Sequence, residues 1–527
     1  IHAILMLVVQ FIITRSGYLT SELGRCLTVT INESVLRKLG SFAGLEYFEN
    51  SKFQDRLRLS LEGAQYGPQA IVFTISNLVR SLFTLFSFLG ILIVFNPVLL
   101  IFIALTTIPE LLMQLRMGTQ RFSIAQSLSL DERRVNYFSF IMSDAHAARE
   151  TRLFGSIEYF LNIWISSFNK INSIKRAQQL KELNNQMILS ILSSLVSFGS
   201  FVAVILQAFS GRLTIGDVTF YNNAVDSVRS SLIGLISVFA DINEQALFFS
   251  EFVALQALPQ PIKIAANPRQ ITGLKEGIEL RNVFFRYSDQ QPYILNGVNL
   301  HIPFGSCIAL VGENGVGKST LVKLLTRLYD PLPGQIFWDG IDISEFRPED
   351  LRKQISIIFQ DPVHYALSAS DNIGVGDVEK IYENHLIEKA AILAGIHEKI
   401  ASLPMGYKTT LNRWLVDDNF GVDLSGGEWQ RIALARMFMR QASFYILDEP
   451  TSDLDAQSES DFYNRIAALL KNHTSFIISH RFSTVKMADM IAVMDKGCII
   501  EVGSHEELLS LNGKYANLYR IQAQRYS

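Results

Sequence analysis

Five long apolar stretches crowd the first half of the chain: Ile1 to about Gly17, Gln69 to Phe95, Pro97 to about Leu115, Asn185 to about Ser210, and Asp217 to about Ala240. Each is near or above the ~18 to 20 residues with which a helix crosses a bilayer. Core helices of a large soluble protein are the other reading, and five such segments in one half argue against it. Composition agrees. Of 527 residues, 49% are apolar and only 18% charged, unusual for a soluble protein of this size. The length itself calls for at least two domains.

Short cytoplasmic loops retain lysine and arginine, so the connections orient the spans. The one before Gln69 carries Arg25, Arg37, Lys38, Lys52, Arg56 and Arg58, and the one after Leu115 carries ten basic residues from Arg116 to Lys181. The Asn96-Pro97 turn has none, and GRLTIGD has only Arg212. Both long basic loops are therefore expected in the cytoplasm. Five crossings place Ile1 on the far side, so a sixth, earlier crossing is expected in the intact protein. The first residues lack the basic start and clear cleavage site of a signal peptide. Arg80, Glu110, Asp226 and Arg229 fall inside the spans, where charge is expensive and either lines a route or pairs structurally. Pro109 is a candidate kink.

A net charge of −3 gives no reason to expect a nucleic-acid partner. Cys26, Cys307 and Cys498 have neither metal nor disulfide spacing and read as inert, mostly buried thiols.

After ALPQPIKIAANP the character changes. Residues 1–258 read as an all-α membrane domain, 259–277 as a linker, and 278–527 as an α/β domain. In the last, short runs such as IALVG, SIIFQ, SFYILDEP, TSFIISH and MIAVMD alternate with helical patterns, which indicates a largely parallel sheet.

IALVGENGVGKST supplies strand, glycine loop and helix start in the order of a phosphate-binding loop. Its candidate nucleotide contacts run from Gly312, Glu313, Asn314, Gly315, Val316 and Gly317 to Lys318, Ser319 and Thr320. The glycines let successive N–H groups point inward at phosphate, and the helix start adds its positive end. Lys318 reaches the β and γ phosphates, while the Ser319 hydroxyl ligates magnesium. SFYILDEP ends an apolar strand in Asp448, placed for the magnesium shell, and Glu449, placed to polarise an attacking water. LSGGEWQRIALAR opens a helix with Ser425, Gly426, Gly427 and Glu428, a second arrangement suited to an anion.

At this point the second half resembles the nucleotide-binding domain of an ATP-binding-cassette (ABC) transporter, with LSGGE close to that family's signature. The resemblance implies ATP and Mg2+ as ligands. It also implies a dimer in which each signature closes over the ATP held by the other subunit's phosphate loop. Further positions match one by one. Tyr287 in FRYSD stands where the family stacks an aromatic on adenine, though an unrelated strand tyrosine would look the same. Gln360 in SIIFQD resembles the glutamine that senses the γ phosphate and adds a magnesium candidate beside Ser319 and Asp448. Ser452, Asp453 and Asp455 resemble the dimer-contact loop, and His480 in FIISHR resembles the switch histidine. EYFENSKFQDRL and ARETRLFGSIEYF look like the two cytoplasmic loops whose short helices dock on nucleotide-binding domains in the exporter-type fold. The segment before the signature, LNRWLVDDNFGVDLSGG, departs from the Gly-Glu-Arg-Gly element that many exporters carry.

The resemblance therefore implies an ATPase-coupled exporter subunit of a bacterial inner membrane that moves a small amphipathic molecule, peptide or lipid. Its partner is a second half-transporter, the same chain or a related one. An importer with this fold is the alternative. A non-transport ABC ATPase fits poorly because such chains lack membrane spans.

Overall fold

The computed structural model describes residues 2–95, 97–209, 214–332, 334–413, 421–450, 461–467, 473–479 and 481–526. It divides into two compact units, one of Ile1–Ser41 with Tyr47–Pro259 and one of Phe42–Glu46 with Gln260–Ser527.

The first unit is helical: α1 (His2–Ser41), α2 (Ser51–Phe95), α3 (Pro97–Ser127), α4 (Ser129–Ser143), α5 (Ala145–Leu153), α6 (Ile157–Phe209) and α7 (Ile215–Gln256). Among the described residues, four stretches are long and apolar enough to cross a membrane: Ala3–Ser41, Ala70–Gly90, Ile157–Leu206 and Val218–Gln256. The fifth expected span opens α3, where the side chains of residues 97–106 lie outside the description.

The helices run far past the expected spans. At 1.5 Å per residue, the 45 residues of α2 extend roughly twice the ~30 Å of a hydrocarbon core. The basic stretches expected as loops are thus largely helix. Cross-helix ion pairs hold these extensions in register: Arg58 with Glu132 at 2.5 Å, Lys175 with Glu132 at 3.0 Å and Arg121 with Glu182 at 2.9 Å. Leu128, Val135 and Ile171 form a small buried core among them. The two docking stretches keep only short non-helical pieces, residues 42–50 and 154–156. Within the spans, Arg229 donates to the Ser197 hydroxyl at 2.9 Å and also bonds Ser193, which is the structural pairing for that residue. Pro109 lies inside α3, and Pro68 inside α2. Of the cysteines, only Cys307 is buried, where loss of hydration pushes its thiol up to about 11; Cys26 is exposed.

Among the described residues the second unit holds ten strands. The first five are β1 (Gly277–Phe285), β2 (Leu295–Pro303), β3 (Cys307–Val311), β4 (Ile336–Trp338) and β5 (Ile341–Asp342). The rest are β6 (Ile355–Ile358), β7 (Phe444–Asp448), β8 (Thr474–Ile478), β9 (Met490–Asp495) and β10 (Cys498–Gly503). An antiparallel sheet is ordered β2-β1-β4-β5, and the main sheet β10-β9-β3-β8-β7-β6. In the main sheet β3 pairs parallel with β8 and β9, β7 pairs parallel with β6 and β8, and β10 closes the edge antiparallel. Strands β3, β7 and β8 are buried at every position, which is why they read as continuous apolar runs.

Helices α8 (Lys318–Leu325), α9 (Pro348–Lys353), α10 (Ala369–Gly374), α11 (Asn384–Ala394), α12 (His397–Ala401) and α13 (Gly426–Met439) surround the sheets. One core joins Leu321 and Leu324 of α8 to Ile336 and Trp338, and another joins Trp429 and Ile432 of α13 to Ala390 and Ala391 of α11.

The piece Phe42–Glu46 is built into this unit. Leu45 donates its N–H to the Leu328 carbonyl at 3.0 Å, and Arg352 donates to the Ala43 carbonyl at 2.5 Å. A side chain at Gly44 would meet Ile262 at 2.9 Å. The stretch expected as a linker is also fixed here: Lys263 donates to Asp330 at 2.8 Å, and its carbonyl accepts from the fully buried Arg327 at 3.0 Å.

Candidate nucleotide site

Strand β3 ends at Val311, and the chain turns through the glycine loop into α8. Gly315 (φ 82°) and Gly317 (φ 109°) take left-handed backbone that side chains resist, and Gly317 caps α8. At Gly312 a Cβ would sit 2.5 Å from the Met494 carbonyl oxygen, so the close approach to β9 selects glycine there. Lys318, 6% exposed, donates to the Gly312 carbonyl at 2.8 Å and the Glu313 carbonyl at 3.0 Å. Burial lowers the pKa of its ammonium, and the nearby Glu449 and Asp448 carboxylates oppose that. The Glu313 side chain pairs with Lys514 at 2.7 Å, so it is the backbone of Glu313 that serves the loop. Tyr287 lies at the first turn of α8, its hydroxyl 3.1 Å from Thr320 Oγ1 and its ring 5.1 Å from the Lys323 ammonium.

Across from the loop, β7 delivers the two carboxylates. Asp448 is 6% exposed. Burial first, and the adjacent Glu449 second, push its carboxyl up to about 6, while a hydrogen bond from Ser319 and the charge of Lys318 pull the other way. Glu449 has left-handed backbone (φ 47°) with its N–H on the Ile478 carbonyl at 3.0 Å. A non-glycine residue in that region costs energy, so β8 holds it in place and thereby fixes the side chain's direction. A cleft of about 450 Å³ is lined by Asn314, Gly315 and the stretch Gly317 to Thr320, with Gln360, Glu449 and Ile294 completing it. Ile294 carries no sequence signal for this place, because only the pairing of the antiparallel sheet brings the chain before β2 to this edge.

Ser319 Oγ, the Asp448 carboxylate and the Gln360 carbonyl are hard oxygen donors of the type Mg2+ takes. A buried carboxylate with a raised pKa next to a second carboxylate is a place where a cation stabilises the charged form. Among the described residues no cluster of three or more His, Cys, Asp or Glu could hold a metal alone, so such an ion would share its shell with water and phosphate.

The signature stretch starts α13, a 14-residue helix. Ser425 is its N-cap: its hydroxyl accepts from the Glu428 N–H at 3.4 Å, and the Glu428 carboxylate accepts from the Ser425 N–H at 2.8 Å. Glu428 also pairs with Lys399 at 2.8 Å. Burial alone would raise this carboxyl, but Lys399 and the Ser425 bonds outweigh it and hold it below the usual carboxylate range. Ser-x-x-Glu is the spacing of a capping box, the signal that would have assigned Glu428 this local partner. The Ser425 hydroxyl proton remains available to an acceptor outside the box, beside the positive end of the helix. None of Ser425, Gly426, Gly427 or Glu428 lines the cleft. His480, Ser452, Asp453, Asp455 and the run-up residues 414–420 lie outside the described residues.

The family model for the ABC transporter matches residues 295–452. The subtilin transport ATP-binding protein of Bacillus subtilis is 31% identical over 480 residues, 91% of this chain and 77% of that protein. The nisin transport ATP-binding protein of Lactococcus lactis subsp. lactis is 28% identical over 529 residues, 98% of this chain and 86% of that one. Among solved structures, a bacterial Atm1-family ABC exporter with ATP bound superposes with a TM-score of 0.84 at 25% identity, covering 98% of this chain and 88% of that one.

Proposed function

This chain belongs to the ATP-binding-cassette transporters, in their export branch, and on that premise we propose how its residues share the work. It is an integral membrane protein with an ATP-binding domain. In our reading two copies face each other, and each ATP lies between the phosphate loop of one and the signature helix of the other. One observation carries this. The cleft gathers Lys318, Ser319, Gln360 and Glu449, whereas the phosphate-suited end of α13 at Ser425 has no part in it. That end is then free to serve a nucleotide held by a partner.

Within each site the loop N–H groups and Lys318 hold the β and γ phosphates. Ser319, Asp448 and Gln360 would hold Mg2+, which would supply positive charge to offset that of the phosphates. Glu449 orients and polarises the attacking water, and its locked backbone keeps it aimed. Tyr287 supports the adenine and His480 bonds the γ phosphate. Closure of the dimer over ATP favours an outward-facing cavity, and hydrolysis resets it.

Two relatives that span 91% and 98% of the chain are named for transport of subtilin and nisin, which favours a peptide as cargo, carried across a bacterial cytoplasmic membrane with the ATPase on its inner side. The test is Glu449→Gln in the full-length protein. ATP binding persists, the ATPase units stay associated and turnover stops; hydrolysis at the wild-type rate would remove Glu449 from this role.

A further inference from the structure

His364 lies flat on Trp429, with ring centroids 4.2 Å apart and planes 8° apart. The first ring stands four residues after Gln360, and the second immediately follows Glu428. The stack therefore joins the segment leaving the nucleotide cleft to the first turn of α13.

Its neighbours are gripped by the same helix. Arg436 donates to the Val363 carbonyl at 2.8 Å, and its guanidinium lies 4.9 Å over the Tyr365 ring. The same guanidinium donates to the carbonyl and the side-chain oxygen of Asn372, each at 2.7 Å. Asn372, fully buried, donates in turn to the carbonyls of Tyr365, Leu367 and Ser368 at 3.0 to 3.1 Å. Three consecutive residues, Val363, His364 and Tyr365, each touch α13. Trp429 and Arg436 are seven positions apart and so share one face of that helix. Burial draws the Arg436 guanidinium down to about 10, so it is still charged at neutral pH, where its hydrogen bonds to carbonyl oxygens are strong.

We propose that this strap makes the Gln360 segment and the signature end of α13 one rigid body, and that His364 and Trp429 are positioning residues linking two nucleotide sites. The inference rests on the shared-site reading above. In that dimer Gln360 meets the nucleotide on its own phosphate loop, while Ser425 meets the partner's nucleotide. A displacement of Gln360 on ATP binding is carried through His364 to Trp429 and so to Ser425. A loose loop would absorb the displacement; a stacked and clamped one transmits it.

The experiment measures ATP hydrolysis against ATP concentration for the purified full-length protein in phospholipid vesicles, with wild type, His364→Ala and His364→Phe. His364 is exposed, so the alanine variant keeps the core around Trp429 intact. Wild type gives a Hill coefficient above one. His364→Ala lowers it to one and reduces kcat by roughly fivefold or more while half-saturating ATP stays unchanged. His364→Phe, which restores a flat ring on Trp429, recovers both. A His364→Ala curve that matches wild type overturns the proposal, as does a His364→Phe variant no better than alanine. Failure of the shared-site reading looks different: wild type itself is non-cooperative, and mixed Lys318→Ala and Gly427→Asp chains regain no hydrolysis.

Discussion

The Lys318 ammonium donates to the Gly312 carbonyl oxygen at 2.8 Å, folding back onto the loop from which it springs. Phosphate oxygens compete with that carbonyl, and with Glu313's, for the same three protons. Lys318→Ala leaves both carbonyls to water and removes the charge-assisted bonds to the nucleotide. A charged hydrogen bond contributes about 1.5 to 3 kcal/mol, so ATP affinity falls by roughly ten- to hundredfold. Equilibrium binding of a fluorescent ATP analogue checks this, and unchanged affinity would show that the loop N–H groups suffice.

The Asp448 carboxyl titrates near 6 in the fold against an ordinary value of 3.8. Between those values the folded chain keeps a proton that the unfolded chain has released, so this group's support for the fold is present at low pH and is lost as pH rises through about 6. Above that, the fold carries a buried carboxylate at a cost on the order of 3 kcal/mol. Asp448→Asn should therefore raise the melting temperature of the protein without nucleotide at about pH 7.5, with the gain vanishing by about pH 4. Magnesium-dependent hydrolysis by wild type should fall on acidification through the same window, because the proton and the cation compete for one carboxylate. An Asn variant with the melting temperature of wild type at both pH values would count against the buried charge.

If sites are shared between chains, Lys318→Ala and Gly427→Asp damage opposite halves of the same site. A mixed dimer then keeps one intact pair. At equal mixing, half the dimers are mixed and each has one working site, so about a quarter of wild-type hydrolysis returns. Neither variant alone should show any. Absence of recovery at every mixing ratio would mean either that the halves do not meet or that both sites must fire together.

The glycine loop, Asp448 and Glu449 were legible because each is fixed by local chemistry: a strand, a turn only glycine can make, a helix start. At Glu428 the same four letters carry two readings, the family signature and a Ser-x-x-Glu capping box, and the structure shows the second. What could not be read is what depends on distant pairing. Arg436 looks like any exposed helix arginine until β6, the segment after it and α10 bring Val363, Tyr365 and Asn372 beneath it. In the membrane unit, apolar runs gave the spans. The helical course of residues 51–68 and 116–127 was hidden, because a charged stretch looks the same in a loop and in a helix that has left the bilayer for water.

Phe42–Glu46 belongs to the unit that carries the nucleotide cleft, although both its neighbours in sequence belong to the other. The backbone therefore passes from one unit to the other at three places: after Ser41, after Glu46 and after Pro259. Cleavage between Pro259 and Gln260 should therefore leave the two units attached, since the five-residue stitch is seated on Leu328 and Arg352. A polypeptide starting at Gln260 would present Ile262, Leu328 and Arg352 with their covering strip missing. Dissection of this protein by truncation would thus unpick a seam as well as separate two parts.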